Sequence, residues 1–116
     1  MSQGKSKVIV PKLPSPEMKI GVYVYTAMRR LEEAGFTFTE QEIDEMCTVK
    51  WSKENFHTIQ PFMKRYIPGV TDLKGEDGYV RFKKEPYDFG GVQVLISKEW
   101  KEHQRKYFIA WYTQLR

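Results

Sequence analysis

The sequence predicts an α+β domain, a compact helical body with a two-stranded antiparallel hairpin and a C-terminal helix. Three observations lead there. Apolar residues recur at helical spacing in separately capped runs through residues 15–66. Between 79 and 96 the period drops to two, with Val80 and Phe82, then Val92, Val94 and Ile96, on alternate positions. After Ser97 the helical period returns through Trp100, Tyr107, Trp111 and Leu115.

Residues 1–14 read as a flexible N-terminal tail, within which Val8, Ile9 and Val10 are a candidate edge strand or docking arm. Pro11 and Pro14 keep it from continuing as a regular element. The single domain then spans 15–116. Ser15-Pro16-Glu17 is a helix start, because serine caps free amides and proline fits the first helical position. Ile20, Val24, Met28 and Leu31 form the buried stripe, broadened by Val22, Tyr23 and Tyr25. Gly35 is the expected stop, in a left-handed position.

Thr39 and Glu42 have capping-box spacing, and Phe38 is placed to staple against Ile43. This second helix carries Glu40, Glu42, Asp44 and Glu45, which suit its positive end and do not suit a surface facing phosphates. Its inner face is Ile43, Met46 and Cys47. A short link with Val49 and Trp51 leads to a third helix opened by Ser52. Pro61 splits that run into a helix over 53–60 and a following turn. Phe56 and Ile59 are expected inward, with Lys53, His57 and Gln60 outward.

Residues 70–78 read as a loop. Tyr79–Lys83 and Val92–Ile96 are the paired strands, joined by a loop holding Pro86 and Gly90-Gly91. Two strands alone are marginal, so they must lie on the helices, with a third strand sought near Val8 or Val49. Ser97 opens the last helix, with Glu99 in its first turn. Phe108 and Ile109 supplement its apolar stripe, and Lys98, Lys101, Arg105 and Lys106 form a polar side.

Composition narrows the function classes. The 116 residues are 41% hydrophobic and 15% aromatic, enough for a core. Net charge is +4, and residues 61–116 supply all of it, with eleven basic and seven acidic side chains against eight and eight before them. The single cysteine, Cys47, excludes an intrachain disulfide. With only His57 and His103 as histidines, no metal site is expected. No glycine-rich phosphate motif or dinucleotide fingerprint is present, so no cofactor is expected. No window reads as a signal peptide or membrane span, which makes a cytoplasmic protein with no membrane partner the expectation.

Chemistry at a catalytic centre fits poorly. Cys47 has the spacing of a buried helix residue, and Asp72, Glu76 and Asp77 lack the regular spacing of a calcium loop. A nuclease built on these acids with Lys83 or His57 is the enzymatic alternative. Three helices followed by a hairpin instead give a winged-helix-like outline containing a helix-turn-helix. The expected role is non-catalytic binding of double-stranded DNA, as in a small transcriptional regulator. Lys53, His57 and Gln60 would face base edges, Lys64 and Arg65 the phosphates, and Arg81, Lys83 and Lys84 would act from the hairpin. The basic set of the last helix is a second candidate face. Tyr79, Tyr87 and Phe89 could stack on single-stranded bases, or simply close the sheet. The competing reading is a protein–protein interaction module or dimeric adaptor. It would use the C-terminal aromatic helix and leave the acidic second helix for a basic partner.

Overall fold

The computed structural model describes residues 9–115. Helix α1 (Ile20–Glu33) carries the expected stripe: Val24, Ala27, Met28 and Leu31 are fully buried, with Tyr23 and Ile20 beside them. It starts later than the sequence predicts. Ser15 closes a separate turn, its carbonyl accepting from Met18 N at 3.1 Å and its Oγ from Glu17 N at 3.3 Å. The stop is as expected. Gly35 sits at φ +83°, and Phe36 N and Gly35 N donate to the carbonyls of Leu31 and Glu32, both at 3.0 Å.

Helix α2 (Glu40–Met46) opens with the capping box read from the sequence. Thr39 Oγ1 accepts from Glu42 N at 3.1 Å, and Glu42 Oε1 accepts from Thr39 N at 2.8 Å. Ile43 and Met46 bury in the same core as Phe38. Helix α3 (Val49–Phe56) departs from expectation at both ends. Thr48, not Ser52, is its cap, accepting from Trp51 N at 3.1 Å. Ser52 lies inside the helix, fully buried, where its hydroxyl donates to Thr48 O and accepts from Phe62 N. His57 takes a left-handed conformation at φ 60° and ends the helix before Pro61 is reached. Ile59 therefore points to solvent, at 78% exposure, rather than inward.

After Pro61 comes a strand, β1 (Met63–Arg65), where the sequence predicted a turn. It is the third strand sought elsewhere. Val49 lies in α3, and Val8 is outside the described residues. The hairpin is also shifted. It consists of β2 (Tyr87–Phe89) and β3 (Val92–Ile96), joined only by Gly90 and Gly91 at φ +74° and +94°. Positive φ at both loop residues is what a two-residue hairpin turn with the right twist demands. The expected strand Tyr79–Lys83 contributes one bridge to this sheet, Phe82 to Ser97, and Val80 pairs instead with Lys74. The order is β1-β3-β2, antiparallel throughout, with Met63 opposite Ile96 and Tyr87 opposite Val94. Because β3 is central, Leu95 is buried along with its neighbours Val94 and Ile96.

The last helix, α4 (Arg105–Gln114), begins well after Ser97, through a 3-10 turn at Glu102–Gln104. Ser97 is held to the sheet: its N–H donates to Phe62 O at 2.9 Å and it faces Phe82. Phe108 and Tyr112, rather than the predicted Trp–Tyr stripe alone, form the most buried face of α4. Trp51, Phe56, Phe62, Trp100, Phe108 and Trp111 make one aromatic cluster joining α3, α4 and the sheet, with ring centroids 4.9–6.2 Å apart. Within the stretch expected as a tail, Val10 is buried and Pro11 O accepts from Tyr112 Oη at 2.7 Å. The described chain is thus a globular unit of four α-helices and a small three-stranded antiparallel sheet. None of its helices is long and apolar enough to cross a membrane.

Candidate nucleic-acid interface

The eight residues proposed from the sequence fall into three groups. Lys53 and His57 lie at the exposed end of α3, one turn apart, with His57 N donating to Lys53 O at 3.0 Å. The His57 ring stacks on Tyr107 of α4, centroids 4.1 Å apart. Gln104 Nε2 donates to the His57 carbonyl at 3.2 Å. Lys106 Nζ stands 5.2 Å from the Tyr107 ring. The end of α3 and the start of α4 are therefore joined at a His–Tyr stack, with Lys106 beside the tyrosine ring and Lys53 one turn before the histidine. Lys106 comes from the second basic set read in the sequence, as does Lys98, whose N–H donates to the Arg81 carbonyl at 2.9 Å.

Gln60, Lys64, Arg65 and Arg81 form the second group, just before β1, on β1, and on the arm over 72–82. Their charge is largely spent inside the molecule. Lys64 Nζ donates to Asp72 Oδ1 at 2.9 Å and to the Lys74 carbonyl at 2.8 Å. Arg65 bonds Glu40 and Asp44 of α2, both at 2.8 Å. Arg81 holds Asp77 at 2.7 Å and approaches Glu99 at 3.5 Å. Hydrogen bonds from Lys64 and Arg81 keep the Asp72 and Asp77 carboxyls below their ordinary range. Gln60 lies with Arg81 against Gly75, where a Cβ would come within 2.8 Å of Gln60 Oε1. The arm folds into a small ladder, Gly75 N to Tyr79 O and Arg81 N to Leu73 O, both 2.9 Å, with Glu76 and Asp77 at its tip. The sequence places these two acids on the loop over 70–78.

Lys83 and Lys84 are the third group. Both are exposed, and neither has a carboxylate partner among the described residues. Lys83 Nζ lies 5.3 Å from the Tyr25 ring, and Arg29 stacks 3.9 Å above Tyr87. Among the described residues, no hydrogen bond, ion pair or ring contact links this group to Lys53 and His57.

Other candidates take structural positions. Burial pushes the Cys47 thiol up, and Arg65 pulls it partly back. Phe89 is fully buried and Tyr87 nearly so, which leaves neither ring open for stacking; Tyr79 is exposed beside Arg81. Trp100, which precedes α4, and Trp111 pack into the aromatic cluster while remaining partly open to solvent. Among the described residues, no group of three or more His, Cys, Asp or Glu side chains is placed to hold a metal ion. No family model matches the chain, and neither a curated protein nor a solved structure matches it.

Proposed function

We propose that this chain is a non-catalytic, winged-helix-like DNA-binding domain. The outline supports it. Helices α2 and α3 are joined by Cys47 and Thr48 alone, and the next element, β1, pairs antiparallel with β3 across the arm and β2. A helix pair followed by a strand, an excursion and a returning strand is how such domains place one helix end and one arm toward a duplex.

The observation that carries the reading is the meeting of α3 and α4, where His57 stacks on Tyr107, Lys106 stands beside that ring and exposed Lys53 lies one turn before His57. Its cations are positioned for phosphates, and His57 and Tyr107 supply donors beside them. Lys83 and Lys84 serve as a secondary phosphate contact. Lys64 and Arg81 keep their carboxylates on the arm, and Arg65 keeps those of α2.

A fluorescence-anisotropy titration with a mixed-sequence duplex at several salt concentrations tests this. Wild-type protein binds at micromolar concentration in low salt and releases steeply as salt rises. The K53E/K106E double variant weakens binding and reduces the magnitude of the logarithmic salt slope by about two, one for each phosphate no longer neutralised. Absence of wild-type binding at low salt removes the proposal.

A further inference from the structure

A groove on the opposite flank of α3 has a different chemistry. Two adjoining cavities, of about 230 and 350 Å³, share Glu45 and Trp51 in their walls. The first is floored by Phe38, Met46, Trp51, Trp111 and Leu115. The second runs between the ends of α2 and α3, lined by Asp44, Glu45, Trp51 and Glu54, with Lys50 as its basic residue. Trp51 and Trp111 meet edge to face, centroids 6.2 Å apart, and both remain partly open to solvent.

The acids stand where a helix tolerates them least. Glu45 lies in the last turn of α2 and Glu54 in the last turn of α3. The C-terminal end of a helix dipole is negative; α2 has no basic residue in its last turn to offset it, whereas α3 has Lys53. Asp44 is held by Arg65, but neither Glu45 nor Glu54 has an ion-pair partner among the described residues. Two exposed carboxylates, the C-terminal end of α2 and the partly open Trp51 indole thus border one groove with a mixed apolar and polar lining. A cation relieves the repulsion and gains the indole face, whereas a polyanion is repelled.

We propose that this groove docks a basic segment of a partner protein. A Lys or Arg of that segment sits on Trp51 between Glu45 and Glu54, and a neighbouring apolar side chain rests on Trp111 and Leu115. The surface is separate from the lysine face assigned to DNA, so either proposal can fail alone.

The test is a titration of the full chain, followed in ¹⁵N–¹H spectra, with a synthetic amphipathic peptide of arginine and leucine. A counterpart with every arginine replaced by glutamate is run beside it. The arginine peptide is expected to give saturable shifts at the Trp51 and Trp111 indole N–H groups and at the Glu45 and Glu54 amides. The glutamate peptide gives none. E45K/E54K weakens binding roughly tenfold or more, whereas K83E/K84E leaves it unchanged. Both glutamates are exposed, and E45Q/E54Q, which adds no charge, must weaken binding in the same direction. Shifts confined to other surfaces, equal binding of the two peptides, or unchanged affinity in the variants overturns the proposal. Groove shifts that follow protein concentration without peptide would assign the groove to a second copy of this chain, and overturn it too.

Discussion

The Ser52 hydroxyl donates to the Thr48 carbonyl at 2.9 Å and accepts the Phe62 N–H at 2.6 Å. It is fully buried, so neither bond has water as a substitute. One small side chain fastens α3 to the segment entering β1. Ser52→Ala leaves the Phe62 N–H without a partner in the interior. The expected loss is about 1–3 kcal/mol, with cooperative unfolding preserved, read from urea denaturation. His57 shows the converse case. A side-chain-bearing residue at φ 60° costs on the order of 1–2 kcal/mol relative to ordinary helical backbone. Tyr107 against its ring and Gln104 on its carbonyl hold it there. That conformation sets the exposed end of α3, and with it the placement of Lys53.

At the scale of elements, the β2–β3 hairpin turns on two glycines that are not equivalent. Both have positive φ, so alanine at either is strained by roughly 1 kcal/mol. A Cβ on Gly91 meets nothing, whereas one on Gly90 would come within 2.6 Å of Thr37 Cγ2. The hairpin tip is seated on the link between α1 and α2, which makes it part of the body of the domain rather than a projecting wing. Gly90→Ala is therefore expected to lower thermal stability more than Gly91→Ala does. Adding Thr37→Ala to the Gly90 variant should restore part of the difference. Equal effects of the two single substitutions would show that the hairpin tip does not bear on Thr37. The arm over 72–82 is shaped by its own ladder and ion pairs.

Across the whole molecule, ion pairs join parts that are distant in sequence. Arg65 ties β1 to α2, and Arg81 ties the arm to Glu99 before α4. Asp72 and Asp77 titrate below their ordinary range because Lys64 and Arg81 stabilise the charged forms. In the window between native and unfolded pKa, the unfolded chain binds more protons, so stability rises with pH there. The contribution is complete above the usual aspartate pKa of about 4 and disappears as pH falls through the lower native values. Thermal midpoints measured from neutral pH downward should decline on that acid side, and D72N/D77N should decline less. A double variant with the same acid profile as wild type would mean that these pairs do not contribute to folding.

Residue types and spacing alone determined the buried stripe of α1, the glycine stop at Gly35, the capping box of α2 and the span of β3. The first three depend on interactions within a few residues, which a linear reading contains; for β3 only the span was legible, because burial on both faces removes the alternation at Leu95. The cap of α3 was not so determined, because Thr48 and Ser52 are both competent caps; a distant N–H, that of Phe62, took the Ser52 hydroxyl. The third strand was hidden since three residues carry too short a period to detect, and β1 exists only because β3 offers it a partner. The three-residue β2 was missed for the same reason. Among the proposed site residues, exposure of Lys53, Lys83 and Lys84 was legible from pattern. Their separation, and the neutralisation of Lys64, Arg65 and Arg81, was not. Charge is written in the sequence, but whether a cation faces solvent or a carboxylate from another element is settled only when the chain brings them within hydrogen-bonding distance.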